Sequence, residues 1–299
     1  MVVPDGVAIG GRVTALFAAA GAARAAVAGM RRRPPGGAEI WERPNHAGRP
    51  VDLYAGPAVA LGTGLAVAAA PGLPVRTRSA AALAVLAAGA CGAYDDIRGR
   101  GDARRGFRSH LAALRRGEVT SGAVKLIGIG AAGLAAGALI EEKVLDKLLA
   151  GTVIAGAAHL VNLLDVRPGR AAKAVLTAGA PGLLRGGAAA VLAAAPVGAT
   201  AAVLADDLAE RTMLGDSGAH ALGAGLGVAI VAGNDRAGLV LHALALVVAA
   251  VAGDRVSNGG AWHQRPVLRA WDELGRRPEP VSVFSRGATP VRPAGSRRT

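Results

Sequence analysis

The stretch Ala90-Cys91-Gly92-Ala93-Tyr94-Asp95-Asp96-Ile97-Arg98-Gly99-Arg100 ends a long apolar run with two adjacent carboxylates and then arginines. An unpaired aspartate at the centre of a bilayer costs roughly 2.5–3.5 kcal/mol on insertion scales. If the run before it crosses a membrane, Asp95 and Asp96 therefore stand at the helix end and face a polar compartment. The rest of the chain supports a membrane: it is 52% hydrophobic, with 44 glycines and only 3% aromatic residues, and its mean hydropathy is +0.38. Ala, Val, Leu and Gly are left to do the packing, and small residues let membrane helices approach closely where lipid offers no hydrophobic drive between them.

Working outward from that stretch, the apolar segments are 7–29, 51–70, 79–94, 121–140, 147–164, 171–184, 188–205, 217–233 and 238–251. Most approach the roughly 20 helical residues that span a hydrocarbon core of about 30 Å. The segment 171–184 is short and carries Pro181. Segment 7–29 lacks a small-residue cleavage site after a short core, so it reads as a span and not as a removable signal peptide. The predicted fold is all-α, a polytopic integral membrane bundle of about nine helices over residues 1–254. A basic tail follows from 255 to 299. Its end, rich in Pro, Gly and Ser beyond about Arg276, reads as disordered, and 266–274 reads either as a short amphipathic helix on the anionic leaflet or as solvated chain.

If the segments alternate, the loops at 31–50, 95–120, 165–173 and 206–216 and the tail share one side. That side collects most of the 34 Lys and Arg, against Arg76, Arg78, Lys143, Lys147, Arg185 and Arg236 on the other. By the positive-inside rule the rich side is the cytoplasm, which puts the N-terminus outside and the C-terminus inside. The net charge of +13 would suggest nucleic acid in a soluble chain. Here it is sorted by membrane side, and no nucleic-acid partner is expected. Cys91 is the only cysteine, which excludes an internal disulfide and a cysteine metal cluster.

Three acidic motifs fall at the ends of different spans on that one side: Asp95-Asp96, Asn162-Leu163-Leu164-Asp165 and Gly215-Asp216-Ser217-Gly218. Each has an ordinary reading. A DD pair often caps a helix in solvent, Asp216 or Ser217 is a natural N-cap for the apolar helix it opens, and Asn162 and Asp165 are one turn apart on a helix end. Gly215–Gly218 also echoes a serine-hydrolase nucleophile, but without the surroundings of a triad. It is their conjunction on one face that points to chemistry. Clustered carboxylates repel unless a cation joins them, and Mg²⁺ held by one or two carboxylates plus substrate phosphates is the usual solution. Neighbouring arginines and Lys173 would take the remaining phosphate charge.

The order and spacing of these motifs resemble the polyprenyl-phosphate N-acetylhexosamine-1-phosphate transferase superfamily, to which the phospho-N-acetylmuramoyl-pentapeptide transferases belong. The resemblance covers roughly residues 45–233. It rests on the DD pair at Asp95-Asp96, an N-L-x-D segment at Asn162 to Asp165, an M-G-D-[ST]-G segment from Met213 to Gly218 with Leu214 as an extra residue, and an N-x-x-G-R-P segment from Asn45 to Pro50. The resemblance implies Mg²⁺-dependent transfer of a sugar 1-phosphate from a UDP-sugar to a polyprenyl phosphate at the inner leaflet of the cell membrane, with release of UMP, for cell-envelope glycan synthesis. It further implies Asp216 as the metal ligand, Asp95 or Asp96 for activating the lipid phosphate, and Asp165 and Asn162 in the nucleotide-sugar pocket. Arg98, Lys125, Arg167, Arg170 and Lys173 are candidate substrate contacts, and a homodimer is left open.

The chain departs from the family pattern in several places. Gly99, flanked by Arg98 and Arg100, stands where the family carries a lysine. Pro168 stands where a second carboxylate follows Asp165, and His263 is the one histidine left where the family has a histidine-rich loop. A tenth span after that loop is absent. These differences imply either a different donor or a catalytically inactive relative that acts as a membrane scaffold or lipid-phosphate binder. A transporter fits poorly, because no acidic residue lies at mid-span and no matched pair of broken helices is evident.

Overall fold

The computed structural model describes residues 5–100 and 107–277. In chain order its elements are α1 (Asp5–Arg32), β1 (Glu42–Pro44), β2 (Pro50–Asp52), α2 (Ala55–Ala68), α3 (Val75–Arg98), α4 (Phe107–Arg115), α5 (Ser121–Ile140), α6 (Val144–Leu164), α7 (Arg170–Leu184), α8 (Gly187–Leu208), α9 (Gly215–Ala232), α10 (Arg236–Val251), α11 (Gly253–Asn258), α12 (Ala261–Gln264) and α13 (Pro266–Glu273). The class is all-α, and the one small sheet is the antiparallel pair β1–β2.

Every apolar segment of the sequence lies on a helix, but the helices are not equivalent. Helices α1, α3, α5, α6 and α8 are long and apolar enough to cross a bilayer, and α10 joins them if it is counted with the bent continuation after it. This is the pattern of a multi-pass membrane protein. Helix α2 is a correction to the sequence reading. Its first expected residues pair as β2, and the 14 residues that remain reach only about 21 Å at 1.5 Å per residue. Helix α3 differs in the other direction: it runs through Arg98, so Asp95 and Asp96 belong to its last turns and do not follow it.

Helix α9 is the hub, packed against α2, α3, α6 and α8, and nearly all of it from Ser217 to Ala229 is buried. The outer helices turn apolar side chains outward, among them Phe17 on α1, Ile127 on α5 and Leu241, Leu244 and Val248 on α10. Such a surface suits lipid. The core is built of small residues: Ala19 and Ala23 of α1, Ala58 of α2 and Ala84 of α3 are at most 1% exposed. One very close approach lies where α3 crosses the start of α9. A Cβ on Gly92 would stand 2.3 Å from the backbone oxygen of Asp216, so only a glycine admits this contact.

Residues 255–277, expected as tail, lie against the bundle as α11 to α13. The amphipathic reading of 266–274 holds as a helix, yet its polar anchor is the protein itself. Asp272 is 4% exposed and takes a two-pronged pair from Arg170, at 2.6 and 3.1 Å. The expected disorder beyond Arg276 falls almost wholly outside the described residues.

Candidate functional site

The C-terminal ends of α3, α6 and α8 and the N-terminal ends of α5, α7 and α9 meet at one end of the bundle, and the acidic motifs meet with them. Asp96 sits against the start of α9, where its two carboxylate oxygens accept the backbone N–H groups of Asp216 at 3.1 Å and Ser217 at 2.9 Å. These are the unpaired donors that every helix start must satisfy. The cap of α9 thus comes from α3, in place of the local cap that Asp216 or Ser217 offered in the sequence. Ser217 instead donates its hydroxyl to the carbonyl of Gly89, at 3.0 Å. The glycine contact at Gly92 and the Asp96 cap are one joint, and it fixes where Asp216 stands.

Asp216 and Asp95 are joined by a third residue. The Lys125 ammonium on α5 lies between them, 2.5 Å from Asp95 Oδ2 and hydrogen-bonded to Asp216 Oδ2. All three side chains are largely covered, at 17% exposure for Lys125, 14% for Asp95 and 27% for Asp216.

A cavity of about 480 Å³ opens on this end, with Asp96, Asp165, Asp207, Asp216, Arg43 and Arg167 in its wall. Asp165 ends α6 and accepts the backbone N–H of Gly215. Burial, together with the nearby carboxylates Asp207, Asp216 and Asp96, pushes its carboxyl well above the usual carboxylate range. A raised folded-state value means the group favours folding while it is protonated and loses that contribution as pH rises from the ordinary carboxylate range through the raised one. Asp165→Asn is therefore expected to raise the melting temperature at pH 8, and to raise it less at pH 5. Thermal melts of detergent-purified protein at the two pH values check this.

A second cavity, of about 230 Å³, lies on the other side of Lys125 between α4, α5, α6 and α9. Its polar wall is Lys125, Asn162, His110, His159 and His220, and its apolar wall includes Leu126, Ile129 and Leu163. Asn162 and Asp165, close in sequence, thus face different cavities.

The expected substrate contacts divide. Lys125 is at the centre, and Arg167 lines the larger cavity. Arg98 is exposed at the last turn of α3. Arg170 and Lys173, expected to hold phosphate, are turned to the C-terminal segment. Besides Asp272, Arg170 donates to the carbonyl of Ser257 at 2.8 Å and lies 4.3 Å from the Trp262 ring centre. Lys173 donates to the carbonyls of Trp271, Asp272 and Leu274 at 2.8, 2.6 and 3.0 Å and so closes the end of α13. The N-x-x-G-R-P segment is likewise a brace: Asn45 and Arg49 both hold the carboxylate of Glu210, the one non-glycine residue with positive φ among those described.

Sequence reasoning missed Asp207 and Glu210. Asp206-Asp207 is a second DD pair at a helix end on the same side, so the argument that selected Asp95-Asp96 applied equally to it. The pair splits by role. Asp206 is held by Arg24 at 3.1 Å and by Arg211, whereas Asp207 accepts the Gly169 N–H at 3.0 Å and faces the cavity.

Among the described residues no three carboxylate, histidine or cysteine side chains stand in metal-ligating geometry. The donor set nevertheless suits a hard divalent cation. Asp165, Asp207 and Asp216 bring carboxylate oxygens to one cavity, and the effect of its neighbours on Asp165 marks a local excess of negative charge. No family model matches the chain, and no curated protein matches it.

Proposed function

We propose that the protein is a membrane transferase that moves a sugar 1-phosphate from a UDP-sugar to a polyprenyl phosphate, with Mg²⁺ as cofactor. The observation that carries this reading is the acidic cavity at one end of an apolar bundle, set beside a smaller cavity with Lys125 in its polar wall and an apolar wall as well. A polar nucleotide and a lipid with a phosphate head need two compartments of this kind, meeting near the membrane boundary. On this reading the bundle crosses the cell membrane several times, with the N-terminus outside and the Arg-rich end in the cytoplasm.

In the reaction, an oxygen of the lipid phosphate attacks the sugar-bearing phosphorus of the donor. The bond to the UMP phosphate breaks, and UMP leaves. Asp216, with Asp165 beside it, would hold Mg²⁺, which when bound neutralises diphosphate charge and the charge that grows on the leaving phosphate. Arg167 brings positive charge to the larger cavity and Lys125 brings it beside Asp216, and positive charge at the reacting centre is the largest single help to a reaction between anions. Asp96 holds the Asp216 backbone in place, acting on the metal ligand and not on substrate.

The test is purified protein in detergent with Mg²⁺, undecaprenyl phosphate and a panel of UDP-sugars, scored by UMP release. The expected result is turnover with at least one donor that stops when EDTA is added. An inactive relative, the reading that the departures at Gly99 and Pro168 favour, binds undecaprenyl phosphate and releases no UMP from any donor.

A further inference from the structure

We infer that Lys125 is a built-in stand-in cation that couples the two cavities: its ammonium holds Asp95 and Asp216 together while the acidic cavity lacks a divalent cation, and an anion in the smaller cavity draws it away. Two placements carry this. The Lys125 ammonium bridges Asp95 and Asp216, one of which lines the acidic cavity. The same side chain lines the smaller cavity, where His110, His159, His220 and Asn162 complete a wall free of carboxylates.

A divalent cation in the acidic cavity and the Lys125 ammonium compete for Asp216, because each repels the other at contact distance. Cation binding therefore carries the cost of displacing Lys125. The four-carbon stem of lysine is flexible and its charge is compact, so the ammonium has freedom to turn from one cavity wall to the other. A phosphate group in the smaller cavity gives the displaced ammonium a new partner and lowers that cost. Each ligand then favours the state the other needs, and the coupling is reciprocal. The apolar wall of Leu126, Ile129 and Leu163 suits a phosphate that heads an alkyl chain.

This rests on the reading of the acidic cavity as a cation site, but its test does not need turnover. Mn²⁺ binding to the detergent-purified protein is titrated by electron paramagnetic resonance, alone, with inorganic phosphate and with hexadecyl phosphate. In the native protein phosphate is expected to tighten Mn²⁺ binding about fivefold or more, the lower end of ordinary coupling between sites. Coupling by hexadecyl phosphate at concentrations where inorganic phosphate has none assigns the site to a lipid headgroup, and equal potency assigns it to free phosphate. In Lys125→Met, Mn²⁺ should bind more tightly without phosphate, and phosphate should add nothing. Lys125→Gln gives the same reading if the methionine variant does not purify.

Equal Mn²⁺ affinity with and without either phosphate in the native protein overturns the inference. So does coupling that survives in the Lys125 variants, because phosphate would then be binding the metal directly. Intact coupling without UMP release sinks only the transferase reading.

Discussion

Asp216→Asn is expected to reduce UMP release by a factor of about 10³ or more while the protein still folds and still elutes as a single species. The side chain keeps its size, and the backbone N–H that Asp96 accepts is untouched, so the start of α9 stays in place. What is lost is the charge that faces Lys125 and, on the proposed reading, a direct hold on Mg²⁺. Removing a single preorganised donor at a reacting centre typically costs 10²–10³ in turnover, and a carboxylate that positions Mg²⁺ is worth at least as much. The same variant in Mg²⁺ at tens of millimolar separates the two parts, since extra metal restores what weak binding removed. Turnover within tenfold of the native protein would place the chemistry elsewhere.

The second large effect is structural. Gly92→Val is expected to remove the folded protein altogether, read as loss of a single size-exclusion peak and of a cooperative melt in detergent. A side chain there meets the carbonyl carbon and oxygen of Asp216 and the nitrogen of Ser217, all within 2.6 Å. These are backbone atoms and cannot swing aside. Ordinary overpacking costs about 1–3 kcal/mol because side chains give way, and here α3 and α9 must part, taking the Asp96 cap with them. Gly10→Val is the matched control, because nothing lies within 4 Å of a Cβ built there. It should leave both peak and melt unchanged.

Hydropathy alone located the apolar helices, since a bilayer-length apolar run leaves few other conformations, but not α4, α11 or α12. It did not say which helices face lipid. Segment 217–233 reads like its neighbours in composition, yet α9 is buried on all sides, and only contacts between distant segments decide that. The gathering of Asp95, Asp96, Asp165 and Asp216 at one end followed from charge and alternation along the chain. Their division of labour did not. Nothing in the local sequence tells that Asp96 faces two backbone N–H groups while its neighbour faces Lys125, because the turn of α3 that separates them is fixed by where Gly92 meets α9. Arg170 and Lys173 looked like phosphate ligands for the same reason: the sequence displays the charge but not Asp272, a hundred residues on, that claims it.

That last pairing sets an order of assembly. During synthesis α7 is in place long before residues 266–274 leave the ribosome, and until then two cations at its start lack the carboxylate and the carbonyls that later receive them. The segment that pairs these cations also covers them, so they stay in water until α13 arrives. That end of the bundle is thus the last of the described parts to mature, and a chain released early would leave it uncovered.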